Sequence, residues 1–347
     1  MKEVNKTDRR NFLRGFGTVL ATGSVVAVSG SLLKKSIDKN SSIDKNAEMS
    51  RVDVEKLATP YKMVAGFAVE ESVKCIDYYD NHIYAACNGK VLVYNGVVAD
   101  KNSGADVAKL FGSLVSSINT GVEARDIVID GGEIYILHAT GVEVYSDKGG
   151  KLRAWQACSD NSDFCSMTLS ANHVFVADAA NKHIHKYGKN GDFVRFINSP
   201  NRFIIPSYTF GVEVIDETLY CSNSGRHKVE KYTLDGEYIG SFGKAGAGKG
   251  MFAGCCNPVH LAKTAGGDIL TSEKGEPRIS CYAGDGAFRS ILLDSRLMGG
   301  GTRAYDVKAV NNNLIVAGET RISIFQFDRN AVAATACANC AVNCGFF

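Results

Sequence analysis

SMTLSANHVFVADAANKHIHKYGKNGDFVRFI, Ser166 to Ile197, is the stretch whose reading decides the fold. It reads as four short strands in succession: Met167–Leu169, Val174–Ala177, His183–Tyr187 and, after a Gly191-Asp192 turn, Phe193–Ile197. β-Branched and aromatic residues suit a pleated, half-buried surface, and the Asn/Asp/Gly clusters between the runs are turn chemistry. One meander of this size cannot bury both of its faces, so it needs copies of itself alongside.

The copies are present. An aromatic ends the third strand of each: Tyr94 (KVLVY), Tyr145 (GVEVY), Tyr187 (HIHKY), Tyr232 (KVEKY), Tyr282 (RISCY) and Phe325 (RISIF). The intervals are 51, 42, 45, 50 and 43 residues, close to the period of propeller blades. A second-strand run precedes each aromatic: IYAAC at 83–87, IYILH at 134–138, VFVAD at 174–178, LYCSN at 219–223, ILTSE at 269–273 and LIVAG at 314–318. A β-sandwich of unrelated meanders is the alternative, and six in-phase units argue against it. They predict an all-β, six-bladed β-propeller, a ring that removes exposed sheet edges. The last unit ends after its third strand, at Phe325–Asp328, while an apolar run, KMVAGFAV at 62–69, precedes the first unit. The early strand is therefore expected to pair with the last and close the ring.

VFVADAANKHIHKYGKNGDFVRF and LYCSNSGRHKVEKYTLDGEYIGSFG resemble NHL repeats. The likeness is sharp for the units ending at Tyr187, Tyr232 and Tyr282. It is weak for the others, which lack the Asp-x-x-Asn turn of Asp178–Asn181. The resemblance implies a six-bladed propeller over roughly residues 62–328. It also implies a binding scaffold more often than an enzyme, because function resides in sites grafted on the fold.

The N-terminus resembles a twin-arginine export signal: Arg9-Arg10 is followed by Phe12-Leu13, then by an uncharged Gly/Ser/Thr/Val-rich region up to Leu33. Ala27-Val28-Ser29 offers a small-residue cleavage site. Left uncleaved, the segment would just span a bilayer, as a weak membrane helix. The resemblance implies export in the folded state through the twin-arginine translocase to a periplasmic or extracytoplasmic location. The expected organisation is a signal at 1–33, a polar linker at 34–60 with SIDKN repeated, a propeller at 61–328 and a Cys-rich tail at 329–347. The first 29 residues hold five Lys/Arg and two Asp/Glu of the chain's 39 and 37, so 34 face 35 in the remainder. That leaves no basic field for nucleic acid or anionic lipid.

The first strand of each unit should line the central channel. Counting back from the second strands places Cys75, Asp126, Ser166, Gly211, His260 and Asp306 at its mouth. Asp126, His260 and Asp306 are candidate ligands for a divalent metal or polarisers of a substrate, since a His with two carboxylates suits both roles. Solvation of a polar mouth is the alternative.

Eleven cysteines invite their own reading. Cys337, Cys340 and Cys344 form a C-x2-C-x3-C array, a spacing at which thiolates can converge on one ion or cluster. The loop Gly254-Cys255-Cys256-Asn257-Pro258, followed by TSEKGEPRISCY, resembles a recurrent signature of exported bacterial NHL-repeat proteins. Joined, Cys337, Cys340 and Cys344 with Cys255 or Cys256 would hold a metal or an iron–sulfur cluster. Structural disulfides and free thiols are the other readings. Cys158 and Cys165 bracket a loop short enough for a disulfide, and Cys87, Cys221 and Cys281 read as buried apolar residues. His173, His183, His185 and His227 read as solvated turn or surface positions. Lys182, Lys186, Lys228 and Lys231 read as outward-facing, and Trp155 as core.

Three functions follow. The first is a scaffold binding a protein or small molecule on one ring face, with an envelope redox system as one setting for it. The second is a hydrolase or lyase with a central cation. The third is an iron–sulfur electron carrier using the tail.

Overall fold

The computed structural model describes residues 59–97 and 111–328. The expected signal, the linker up to residue 58 and the tail cysteines lie outside the described residues. Six sheets, or blades, follow one another along the chain. Blade 1 holds β2 (Cys75–Tyr79), β3 (His82–Asn95) and β4 (Leu114–Glu123). β3 doubles back at Gly89, whose φ is +71°, and the Gly96 N–H reaches the Asn81 carbonyl at 2.8 Å, so this one element supplies both middle strands. Blade 2 holds β5 (Asp126–Asp130), β6 (Glu133–His138), β7 (Gly141–Ser146) and β8 (Lys151–Gln156). Blade 3 holds β9 (Phe164–Leu169), β10 (His173–Asp178), β11 (His183–Gly188) and β12 (Phe193–Ile197). Blade 4 holds β13 (Val212–Ile215), β14 (Thr218–Asn223), β15 (Lys228–Thr233) and β16 (Tyr238–Phe242). Blade 5 holds β17 (His260–Lys263), β18 (Ile269–Glu273), β19 (Arg278–Tyr282) and β20 (Phe288–Asp294), followed by a single turn, α1 (Ser295–Met298).

Blade 6 is built from both ends of the ring. β21 (Asp306–Val310), β22 (Asn313–Ala317) and β23 (Arg321–Phe327) take β1 (Tyr61–Ala68) as their outermost strand. β1 runs antiparallel to β23, from Tyr61 opposite Phe327 to Ala68 opposite Arg321, with a bulge between Met63 and Ala65. The predicted closure is therefore observed. The innermost strands touch in the cyclic order β2, β5, β9, β13, β17, β21 and back to β2.

The core is divided into six wedges, each shared by two neighbouring blades. One wedge joins Phe175, Ala177 and Ile184 of blade 3 to Val212, Leu219 and Tyr232 of blade 4, and the other five repeat the arrangement around the ring. All six third-strand aromatics are buried, each facing the preceding blade. Burying such a ring contributes about 1.5–3 kcal/mol, so the blades are held by each other and not by their own turns. The outermost strands β8 and β12 are mostly exposed along their length.

Several expectations about single residues need correction. His185 is fully buried and His183 half-buried, because alternate positions on β11 face the wedge with blade 2 alongside Tyr187. Lys186 is buried too, and its ammonium reaches Asp235 at 2.8 Å. Cys158 and Cys165 are not disulfide-bonded. The Cys165 thiol lies 3.4 Å from the carbonyls of Ala177 and Phe210, whereas Cys158 is exposed and lies 3.3 Å from His185 Nδ1.

Candidate ligand site at the channel mouth

The structure sets the predicted mouth residues at or near the start of the innermost strands, but the ligand atoms of Asp126, His260 and Asp306 do not all come within 4.8 Å of one another. Asp126 Oδ1 accepts its neighbour Ile127 N–H at 2.9 Å, and Oδ2 accepts Met167 N–H at 2.7 Å and Ser166 Oγ at 3.0 Å, both from blade 3. Asp306 repeats this toward blade 1, taking Ile76 N–H at 2.8 Å and its own neighbour Val307 at 2.9 Å. Ser166 Oγ accepts Val212 N–H at 3.3 Å, and deeper in, Asp77 accepts Ile129 N–H at 2.7 Å and Thr168 accepts Val214 N–H at 3.0 Å. Inner-strand side chains thus bind the backbone of the next blade, where no ladder hydrogen bond is available. Gly211 is needed for proximity, since a Cβ there would lie 2.5 Å from the Val259 carbonyl.

The axis is also electrostatically loaded. Burial, opposed by Lys308 and reinforced by Asp306, pushes Asp126 up to about 7. Burial and Lys308 lower the His260 imidazole, with Asp306 opposing, so it is neutral at physiological pH. Burial, Asp126 and Asp306 hold the Cys75 thiol protonated. Lys308 faces the opposite balance: burial disfavours its charge, but Asp77, Asp306, Glu213 and Asp126 together raise it. Burial raises Glu213 against the pull of Lys263 and Lys308. Lys308 sits 3.4 Å from Asp77, and Lys263 3.5 Å from Glu213. Four carboxylates therefore share two lysines.

A cleft of about 310 Å³ opens beside the mouth, with His260, Asp306, Lys74, Arg303, Tyr305 and Glu319 in its wall. Its rim is the loop after α1. Asp294 caps α1 through the Arg296 and Leu297 N–H groups, and Gly299, Gly300 and Gly301 follow at φ of +96°, +82° and +86°. Three successive left-handed residues turn the chain back while exposing its backbone to the cleft. The neutral His260 imidazole stands with Asp306 in this wall and can exchange a proton with a ligand in the cleft.

Cys255 and Cys256 stand in the long loop leading to His260. Their sulfurs are 3.1 Å apart, a dithiol and not a disulfide. Burial raises the Cys256 thiol, but the Lys274 ammonium and the hydrogen bond from Cys255 outweigh it and bring it below the usual range. Asn257 anchors the loop by accepting Lys274 N–H at 2.9 Å and donating to the Lys274 and Ala253 carbonyls at 2.9 and 2.7 Å. Beneath it, Arg278 clasps buried Glu273 through two bonds of 2.7 and 2.9 Å and also reaches the Met251 carbonyl. These contacts give the TSEKGEPRI stretch a structural role. Cys87, Cys221 and Cys281 are buried in their strands, and Trp155 packs against the wedge between blades 2 and 3.

Among the described residues, the His/Cys/Asp/Glu set whose ligand atoms all lie within 4.8 Å of one another is Asp178, His183 and His185, in blade 3. It went unrecognised in the sequence. Its signal is His-x-His on a strand, which puts both rings on one face, with an Asp at the end of the paired strand.

No family model and no curated protein sequence matches the chain. Among solved structures, the chain is similar to catalytically inactive virginiamycin B lyase from Staphylococcus aureus with quinupristin: 14% identity, 77% of this chain, 99% of that one, TM-score 0.53. A structural-genomics protein of unknown function from Bacteroides thetaiotaomicron matches at 14% identity over 77% and 72% of the two chains, TM-score 0.54. A streptogramin B lyase structure matches at 12% identity over 77% and 98%, TM-score 0.51. These likenesses establish the propeller fold.

Proposed function

We propose that this chain is an exported propeller of the NHL-repeat kind, working outside the cytoplasm as a binding scaffold whose ligand enters the channel mouth. The observation that carries this reading is the excess of carboxylates over lysines along the axis beside an open cleft. That field favours a small molecule or peptide end bearing a cationic or hydrogen-bond-donating group. The twin-arginine resemblance supports delivery of the ring already folded, and the Cys255-Cys256 dithiol on the loop entering blade 5 is in keeping with an envelope redox setting.

The test is a thermal-shift and calorimetric screen of amines, amino-terminal peptides and divalent cations on wild type, Asp306→Asn and His260→Gln. Saturable binding that either variant weakens about tenfold or more supports the reading. Absence of any binder, or equal binding by all three proteins, overturns it.

A second reading, a lyase or hydrolase, is favoured by the neutral His260 imidazole standing with Asp306 in the cleft wall and by the lyase activity of the S. aureus neighbours. Consumption of quinupristin by the wild type but not by His260→Ala, followed by mass spectrometry, would select it over the scaffold.

A further inference from the structure

Blade 3 carries a cluster that the channel does not use. Asp178, the last residue of β10, lies opposite His183, the first of β11, and His185 follows two residues on, on the same face. His183 Nε2 and His185 Nε2 are 3.0 Å apart. Asp178 Oδ2 is 3.2 Å from the latter and 3.9 Å from the former. A tetrahedral ion with its donors at about 2.0–2.1 Å spaces them roughly 3.3–3.4 Å apart, and the three observed separations bracket that value.

The surroundings fix each donor. Asp178 Oδ1 accepts the N–H groups of Asp163, Ala180 and Asn181 at 3.2, 3.1 and 3.1 Å, which turns Oδ2 toward the imidazoles, where Asn181 Nδ2 also donates at 3.0 Å. His185 Nδ1 lies 2.9 Å from Tyr187 Oη. With Nε2 on a cation, Nδ1 carries the proton and donates to that hydroxyl, the outer support a ligating histidine ordinarily has. Phe164 packs edge-on against His185 at 4.9 Å, and Phe196 lies against His183 at 4.3 Å. Asp178 and His185 are fully buried, while His183 sits at the rim with Ser159 Oγ 3.4 Å from its Nε2, so entry is from that side.

The same slots in the neighbouring blades are filled differently. Blade 4 has Asn223, Lys228 and Glu230, and Asn223 Nδ2 donates to Glu230 at 2.8 Å while Tyr232 donates to it at 2.5 Å. Blade 5 has Glu273, Arg278 and Ser280, closed by the Glu273–Arg278 ion pair. Each of those blades supplies its own hydrogens. In blade 3 two imidazole nitrogens and a carboxylate oxygen converge, each able to offer a lone pair to a cation.

We propose that Asp178, His183 and His185 bind one divalent cation of the zinc class, with a coordination position open toward the Cys158–Ser159 loop. Two nitrogens and one oxygen suit Zn²⁺ and its borderline neighbours Co²⁺ and Ni²⁺. They are too poor in oxygen for Ca²⁺ or Mg²⁺.

The test uses the full chain, and the full chain with Cys337, Cys340 and Cys344 changed to Ser so that tail thiolates cannot compete. Each is stripped with chelator and titrated with Zn²⁺ by calorimetry and with Co²⁺ by absorption. The expected result in the Ser variant is one equivalent of metal, a Co²⁺ spectrum without thiolate charge transfer, and a raised Tm. His183→Ala, at the rim and compatible with folding as judged by circular dichroism, should weaken binding about 100-fold or more. Tyr187→Phe should weaken it about tenfold. No saturable binding in the Ser variant, or affinity unchanged in His183→Ala, overturns the proposal and leaves a hydrogen-bonded network only. The outcome is independent of whether the channel mouth binds a ligand.

Discussion

Asp126, half-buried at the channel mouth, and Asp178, fully buried within blade 3, respond to their surroundings in opposite ways. Asp126 faces the axis, takes three hydrogen bonds and has Asp306 for company, and its carboxyl is pushed up to about 7. Asp178, at the end of a second strand, also pays for burial, but bonds from His185, Ser162 and Asn181 outweigh that cost and hold it well below the usual carboxylate range. Burial raises both carboxyls. What separates them is how many hydrogen atoms are pointed at each, enough at Asp178 to outweigh burial and too few at Asp126.

The largest expected effect that sharpens this contrast is Asp178→Ala. It strips partners from the N–H groups of Asp163, Ala180 and Asn181 and from the side chains of His185, Ser162 and Asn181, and should cost about 3–5 kcal/mol in denaturant unfolding. A cost under about 1 kcal/mol would mean that the turn finds other acceptors.

Asp126→Asn should move the other way. The folded pKa lies above the unfolded value of about 3.9, so the group's contribution is fully present below about pH 4 and is lost as pH rises through 7. The amide should therefore flatten the stability slope between about pH 4 and 7 in denaturant unfolding, while its NH2, which must face the N–H of Ile127 or of Met167, offsets the gain near pH 8. For Asp178 the sign reverses: its contribution is present above about pH 4 and is lost on acidification, so the substitutions should separate on opposite sides of the stability maximum.

The smallest effect tests the same rule in blade 4. Tyr232→Phe removes one of the donors on Glu230 and should cost about 1 kcal/mol, read as a Tm shift of a few degrees.

The ring was legible because its cause is periodic. Tyr94, Tyr145, Tyr187, Tyr232, Tyr282 and Phe325 each need a neighbour's wedge, and that need is written at near-constant spacing. The position of Asp126, His260 and Asp306 at the head of their innermost strands was legible for the same reason, but their convergence on one ion was not, because strand position does not fix the distance across the axis. The blade 3 cluster was not read, because His183 and His185 look like surface residues until the face they share with Tyr187 is known to be a wedge. Lys186 escaped in the same way: its partner, Asp235, is 49 positions away and approaches from the next blade. The Cys158–Cys165 pairing failed because loop length limits reach but not direction, and the two thiols point to different neighbours.

The strand that completes blade 6 carries a consequence for the order of assembly. Tyr61–Ala68 leaves the ribosome before any other strand of the ring, yet its partner, Arg321–Phe327, leaves after all the others, so five blades must wait with an unfastened seam. Until the clasp shuts, the rim of β23 is a bare template for any passing strand. A chain translated without its Tyr61–Ala68 segment would keep every blade and still be the form most prone to clump.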